Sequence, residues 1–340
     1  MITLGELAQR LELSFSGDAD KVLEGIAPLG SAGEHQVAFI SDRKYLPQLA
    51  KTRAGAVILK PEWQQDSPTD VLLSPQPYVS FARATRVFDD SPVPLPGVHE
   101  TAQVDPSATL GEGVSIGAYA CVEADAQLDD GVVIGAGAYV GHGAKLGAGT
   151  RLHPKAVIYH GVVMGKNCTV HSHSVIGADG FGFAPGPDGW EKICQLGSVR
   201  IGDNVDIGAN TTVDRGALDD TVIEDGVIID NQVQIAHNCR IGKNTAIAGC
   251  TGIAGSTTIG ANCTLAGAVG VSGHLEICDN VHFTGQSRVT RSITEPGSYS
   301  SGTPLGETRE WGRNAVRFTQ LGKLHQRITA LEKALRGKKD

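Results

Sequence analysis

His237, Gly255, Gly273 and Arg291 are the residues from which chemistry can be read. Each stands eighteen residues after the one before it, and all hold the third place of a six-residue repeat. Aliphatic residues mark that repeat without a slip at Ile223, Ile229, Ile235, Ile241, Ile247, Ile253 and Ile259, then at Leu265, Val271, Ile277, Phe283 and Val289. If three hexads close one triangular coil, residues eighteen apart stack directly, about 4.8 Å along the axis. The column then reads imidazole, two bare backbones, guanidinium. A neutral imidazole is a suitable general base near pH 7. Glycines let a ligand approach the backbone closely, although glycine is also common in such turns. A bare groove running from a base towards a cation suits a long thin arm such as phosphopantetheine. His274, beside Gly273, is expected to serve the same groove, and Asp230, seven residues before His237, is a candidate to orient it. Gln286, Ser287, Arg288 and Thr290 should lie near the far end. His142 and His160 stack in the same arithmetic, as do His153 and His171, but no glycine column accompanies them, so a structural role is expected there.

A fixed short period of this kind predicts a parallel β-helix in which each hexad is a short strand plus a turn. The first run starts at Val104 and continues through Leu110, Ile116, Val122, Leu128, Ile134, Val140, Leu146, Leu152, Ile158, Met164, Val170 and Ile176. It then breaks into a Gly/Pro/aromatic excursion from Asp179 to Trp190 and resumes at Ile201, Ile207 and Val213, with a shorter slip near Ala217-Leu218-Asp219-Asp220. Loops thrown from a rigid scaffold often carry function, and Phe181, Phe183 and Trp190 are unfavourable to expose without a purpose. Residues 1 to about 100 mix periods. Leu4, Leu7, Ala8 and Leu11 fit one helix face. Val37–Ile40 and Ala56–Leu59 read as strands, and Tyr45–Ala50 and Tyr78–Phe88 as helices, which together predict a small α/β domain. Ser91-Pro92-Val93-Pro94-Leu95-Pro96-Gly97 is the linker ending it. After Val289 the repeat fades. Leu321, Leu324, Ile328, Leu331 and Leu335 then form a short coiled-coil seam, too short to stand alone and expected to add to an oligomer contact. The expected division is 1–100, 101–305 and 306–340.

Composition agrees with a solenoid. Gly numbers 44 and aromatics are 5% of 340 residues, whereas a globular α/β enzyme would carry more rings around one thick core. A net charge of -8 argues against nonspecific nucleic-acid binding. Seven Cys without a CxxC pair, three of them (Cys168, Cys239, Cys263) at the fifth hexad place, read as reduced core thiols of a cytosolic protein. No signal peptide is read near Met1, where Glu6 and Arg10 interrupt any apolar run, and no stretch is long enough to span a bilayer. A membrane-related substrate would be met from the cytoplasmic side. A zinc hydrolyase on this fold would need three His ligands, and His237 with His274 supplies two, so no metal is expected. An acetyltransferase using acetyl-CoA, or a purely structural solenoid, stays open on these residues alone.

The hexads resemble the left-handed β-helix acyltransferases, a handedness that breaks the usual right-handed crossover rule. Four stretches narrow the resemblance. They are Ile176-Gly177-Ala178-Asp179-Gly180-Phe181-Gly182-Phe183, Asp214-Arg215-Gly216-Ala217-Leu218-Asp219-Asp220-Thr221, Ile229-Asp230-Asn231-Gln232 with Ile235-Ala236-His237-Asn238, and Ile293-Thr294-Glu295-Pro296-Gly297 with Tyr299-Ser300-Ser301-Gly302. Together they look like the UDP-3-O-(3-hydroxyacyl)glucosamine N-acyltransferases of lipid A biosynthesis, over nearly the whole chain. The resemblance implies a cytoplasmic homotrimer with active sites between subunits. It implies an acyl carrier protein as donor, which brings its own phosphopantetheine, so no permanently bound cofactor is expected. His237 would take a proton from the glucosamine 2-amine, the Gly255 N–H would face the oxyanion, and His274 would assist. Phe39 and Tyr45 would sandwich uracil, with Asp42 beside them and Lys44 near the phosphates; the family's Asn-Pro is Asp42-Arg43 here. Asp179, Phe181, Phe183, Asp230 and Asn231 would contribute to substrate binding. Gly273, Arg288 and Arg291 are expected on the path of the acyl carrier.

Overall fold

The computed structural model describes residues 1–336 and divides into two units, Met1–Val93 and Pro94 onward. Residues 337–340 of the expected C-terminal segment lie outside the described residues.

In the first unit, the helix Leu4–Leu11 starts at a capping box. Thr3 accepts from the Glu6 N–H while the Glu6 side chain accepts from the Thr3 N–H. A five-stranded sheet follows, in the order Ser14–Ser16, Asp70–Leu73, Ala56–Leu59, Gln36–Phe39, Gly25–Ile26. The first pair is antiparallel and the others are parallel. Both faces are covered, so Ala56-Val57-Ile58-Leu59 is wholly buried rather than alternating. Val37, Ile58 and Leu72 pack with Leu4, Leu7 and Leu11 on one face, and Ile40, Val57 and Trp63 pack on the other. The expected helix at Tyr45–Ala50 begins instead as a 3-10 turn, Arg43–Tyr45, because the Asp42 carboxylate caps the Lys44 N–H at 3.0 Å; an α-turn, Leu46–Leu49, follows. The helix expected over Tyr78–Phe88 spans Pro77–Thr85.

The second unit is a parallel β-solenoid with three sheets of nine, ten and eleven strands. Register follows the eighteen-residue arithmetic: Ile235 pairs with Ile253, and Ile253 with Val271. Ile229, Ile235, Ile241, Ile247, Ile253 and Ile259 face inward and are at most 4% exposed. Corners are turned by residues at positive φ, among them Asn238, Asn244, Asn262 and Asn280 at 55–59°, which Asn tolerates better than most side chains. The array begins one hexad earlier than the sequence suggests. Gly97–Val98, at the end of the Pro-rich stretch, already pairs with Ser115–Ile116; the missing coil beneath leaves Val98 exposed and its periodicity easy to overlook.

Two insertions break the register. Met164 pairs with Ile201, so this coil carries the excursion, whose tip is an antiparallel hairpin of Phe183–Gly186 with Gly189–Lys192. Ile201 pairs with Ile223, and the slip at 216–219 accounts for the extra residues. At the other end the coils continue past the point where the repeat fades, since Gly297–Tyr299 pairs with Val281–Phe283. Two helices follow, Thr308–Phe318 and Leu321–Arg336. In the single chain Leu321, Leu324, Ile328, Leu331 and Leu335 are all exposed. Among the described residues no helix is long and apolar enough to cross a membrane.

Candidate active site at the His237 corner

His237 follows the strand Gln234–Ile235 at a solenoid corner and is half-buried. Its Nδ1 lies 3.0 Å from Asn238 Oδ1. That oxygen is identified by its other bonds: Oδ1 accepts the Ala217 N–H at 3.0 Å, and Nδ2 donates to the Asp219 carbonyl at 2.9 Å. An acceptor on this side requires the proton on His237 Nδ1, which leaves Nε2 with its lone pair free. An added Cβ on Gly255 would stand 2.6 Å from Cε1, 2.7 Å from Nε2 and 3.1 Å from Nδ1, over the face of the ring. Gly255 thus lets the next coil pass close against that face. Its N–H makes no hydrogen bond among the described residues, while its carbonyl accepts from the His274 N–H at 3.0 Å. Gly273 lies next in the column, where an added Cβ would meet Gly255 O at 3.0 Å.

The excursion closes the other side of the ring. A Cβ on Gly180 would stand 2.7 Å from His237 Cβ and 3.1 Å from Cδ2. His237 is therefore packed against two glycines, Gly255 of the next coil at the Cε1 end and Gly180 of the loop at the Cβ–Cδ2 end. The loop's feet are pinned to the slip. Arg215 N donates to Ala178 O at 2.8 Å, Leu196 N to Ala217 O at 2.8 Å and Gly197 N to Gly216 O at 3.0 Å. Arg215 stands one coil before His237, since Val213 pairs with Ile235. It is 4% exposed, donates Nη2 to the His160 carbonyl at 2.8 Å and also meets His160 Nε2. Burial and then the Arg215 charge push the His160 imidazole below its ordinary value. His160 is thus turned towards Arg215, and His142 approaches Asp125 at 3.9 Å. His153 and His171 do stack, with centroids 4.4 Å apart.

Asp214 completes the surroundings. Burial pushes its carboxyl above the ordinary carboxylate range, and the Gln234 amide (2.8 Å) and His237 pull it part of the way back. Sequence reasoning gave no role to Asn238, Asp214, Gly180 or Gln195. Asn238 had a signal in its adjacency to His237; the others reach the corner by routes outside the eighteen-residue arithmetic. The expectation that Asp230 orients His237 is corrected. Seven residues is one hexad plus one, which sets Asp230 at the neighbouring corner. There Oδ1 accepts from Asn231 N and Nδ2, and Oδ2 accepts from Gly249 N at 3.0 Å. Asn231 Oδ1 in turn accepts the Ala209 N–H at 2.7 Å.

The remaining expected residues fall into separate groups. In the excursion, Asp179 is ion-paired with Lys192 at 2.5 Å, and Phe181 (87% exposed) meets Phe183 at 5.3 Å. At the far end of the column, Arg288 and Arg291 line a cleft of about 160 Å³ with Ser287, Thr290 and Ser301. In the first unit, Asp42, Lys44 and Tyr45 come together. Lys44 Nζ is 3.3 Å from Asp42 Oδ2 and 5.1 Å from the Tyr45 ring centre. Hydrogen bonds from Lys44 hold the Asp42 carboxyl below its ordinary range. Phe39 stacks on Phe81 at 4.1 Å and tilts against Tyr78 at 5.6 Å; no ring contact joins it to Tyr45 among the described residues. Beyond the carboxyl ends of Gln36–Phe39 and Ala56–Leu59, a cavity of about 660 Å³ is lined by Ser41, Asp42, Arg43, Lys60 and Trp63, the usual end for ligands of such sheets. Among the described residues no cluster of three or more His, Cys, Asp or Glu converges on a metal site. Burial pushes the Cys239 thiol up to about 11, which makes it inert.

Residues 20–87 match the family model described as UDP-3-O-(3-hydroxymyristoyl) glucosamine N-acyltransferase, LpxD. Residues 99–142, 143–178 and 220–255 match bacterial transferase hexapeptide repeats. A protein of Pseudomonas syringae pv. tomato named UDP-3-O-acylglucosamine N-acyltransferase is 45% identical over 98% of this chain and 95% of its own. The protein of that name from Pseudomonas fluorescens is 46% identical over the same shares. Among solved structures, the Arabidopsis UDP-N-acetylglucosamine acyltransferase aligns with a TM-score of 0.54 at 24% identity, over 64% of this chain and 77% of its own; that likeness speaks to the fold. With near full-length identity at this level, the chain belongs to the UDP-3-O-acylglucosamine N-acyltransferase family.

Proposed function

We propose that the protein transfers a 3-hydroxyacyl group from acyl carrier protein to the 2-amine of UDP-3-O-(3-hydroxyacyl)glucosamine, giving the diacylated precursor of lipid A. The names of its relatives support the acceptor and the N-acyl transfer. The observation that carries the mechanism is the fixed tautomer of His237, with Nδ1–H turned to Asn238 and Nε2 left unprotonated in a ring packed against Gly255.

Nε2 takes a proton from the amine as its nitrogen attacks the thioester carbonyl. The carbonyl oxygen becomes an oxyanion within reach of the Gly255 N–H. The C–S bond then breaks, and the imidazolium returns its proton to the departing phosphopantetheine thiolate. Asp214, beside His237, favours the imidazolium while it exists. His274 assists at the same groove. Phosphopantetheine arrives on the carrier, so the protein holds no cofactor of its own. The Arg288–Arg291 end of the column is basic, which suits an acidic carrier. In the first unit Phe39 and Tyr45 bind uracil, and Lys44 lies towards the phosphates. The working form is a cytoplasmic homotrimer in which Asp179, Phe181, Phe183, Asp230 and Asn231 contribute to acceptor binding.

Mass spectrometry of product from a mixture of acyl-carrier thioesters and acetyl-CoA tests the reading. Diacylated sugar nucleotide formed only with the carrier thioesters is expected, and acetylated product would overturn it. His237→Ala should lower kcat about 10²–10⁴-fold with the acceptor KM nearly unchanged; an unchanged kcat would remove His237 as base.

A further inference from the structure

Among the described residues two buried side-chain polar atoms lack a hydrogen-bond partner, Gln195 Oε1 and Arg215 Nε. Gln195 is 7% exposed and lies on the returning foot of the excursion. Leaving such an acceptor unpaired is unfavourable, whereas an apolar group of the same shape avoids that loss. The orientation of the amide is dictated by its other end. Nε2 donates to the Ile193 carbonyl at 3.0 Å, and turning the amide over would set two oxygens against each other.

The surroundings of that oxygen are specific. A Cβ on Gly180 would stand 2.9 Å from Gln195 Oε1, and the same point lies 2.7 Å from His237 Cβ and 3.1 Å from Cδ2. A Cβ on Gly182 would stand 2.4 Å from Gln195 Nε2. The amide therefore lies flat behind two glycines, and Gly180 separates its oxygen from the imidazole edge. Asp214 interacts electrostatically with His237; Asn238, Gly180 and Gly255 bring no charge.

We propose that Gln195 is a positioning residue for His237. Its amide backs the Gly180–Gly182 backbone so that the ring is gripped against Gly255. Its free oxygen presents the negative end of a fixed dipole to a ring that becomes positive on taking the amine proton. A preorganised dipole in a dry setting stabilises such charge without reorienting, as water would have to. The unpaired oxygen is then a local destabilisation retained for its effect on the base. This rests on His237 being that base.

Gln195→Met, Gln195→Glu and His237→Ala, each in the full chain, test it. Gln195→Met keeps the length and loses the oxygen. Its kcat should fall about 10–100-fold, the scale of a misplaced catalytic group, with the sugar-nucleotide KM changed less than about twofold. The acid limb of its kcat profile should move to lower pH, because the imidazolium has lost support. Its Tm should not fall below the parent's. Gln195→Glu should recover most of the rate, since a buried carboxylic acid can donate to Ile193 O and still turn an oxygen to Gly180. Parental kcat and an unmoved limb in Gln195→Met would overturn the proposal. So would a loss of kcat that matches a loss of Tm and leaves the limb in place. Full activity in His237→Ala would remove the base and the proposal together. An inactive His237→Ala beside an unaffected Gln195→Met would remove the proposal alone.

Discussion

One added methyl group at Gly255 should silence His237 and leave the coil folded. In Gly255→Ala the new Cβ would stand 2.6 Å from His237 Cε1 and 2.7 Å from Nε2, against about 3.5–4.0 Å for comfortable carbon contact. The backbone itself accepts the change, because Gly255 is not at positive φ. The ring must yield by about 1 Å. Gly180 crowds the Cβ–Cδ2 end of the same side chain, so the Nδ1–Asn238 bond is expected to break. A displacement of that size costs about 10²-fold in rate, and complete loss of general-base action about 10²–10⁴-fold. At about 1.36 kcal/mol per decade that is about 2.7–5.4 kcal/mol on the barrier. Overpacking should cost about 1–3 kcal/mol of stability, a Tm change of a few degrees. Gly252→Ala, whose Cβ meets open space, serves as the stability control. Thiol release from acyl carrier protein gives kcat, and circular dichroism gives Tm. A kcat within about twofold of the parent would refute the proposal that His237 acts as the base in the position packed against Gly255.

Further outcomes follow from other residues. Asp214 has a raised pKa in the folded state, mainly from burial. Its contribution is therefore fully present below the ordinary value of 3.8 and is lost as pH rises through the folded value. Asp214→Asn should melt higher than the parent at pH 7 by an amount that vanishes below about pH 4, while kcat falls; a Tm gap independent of pH would contradict this. Arg291→Ala should raise KM for the acyl carrier at low salt and much less at high salt, where the attraction is already screened, as initial rates at two ionic strengths will show. Tyr45→Ala should weaken sugar-nucleotide binding by about 1–3 kcal/mol without lowering Tm, whereas Phe39→Ala, which also breaks the Phe81 stack, should lower both; calorimetric titration separates them. Truncation after Gly306 should leave the coils folded and weaken the proposed trimer, read as a lower light-scattering mass than that of the full chain at the same concentration.

The solenoid was legible because its register is carried by local arithmetic. Ile235, Ile253 and Val271 stack at the spacing read from the chain, and with them His237, Gly255 and Gly273. What the period does not carry was not legible. Asn238 takes its role from Ala217 and Asp219, which reach it across the slip. Gly180 and Gln195 belong to a loop whose return path follows no repeat, so no spacing links them to His237. The error over Asp230 came from treating seven residues as nearness, when a triangular coil turns a corner in six. In the first unit the strands at Val37 and Ala56 were visible as apolar runs, but the stacking of Phe39 on Phe81 depends on a helix forty residues away.

Gln234–Ile235, the strand that leads to His237, is the seventh of ten on its face. A stack of coils melts from its ends, because each coil is held by its neighbours and a terminal one has a neighbour on one side alone. Fraying from the first coil must cross six strands of this face before it reaches the base, and fraying from the last must cross three. Arg288 and Arg291 enjoy no such insulation. Arg288 sits on the last strand of the face and Arg291 just beyond it, in a cleft shared with Tyr299 and the Ser301 hydroxyl, which accepts from Arg288 N at 2.6 Å. Amide exchange should therefore be graded along the axis, slow around Ile235 and fast around Val289. On the proposed mechanism, the rigid part of the molecule is the part that moves protons, and the softer rim is the part that meets a second protein.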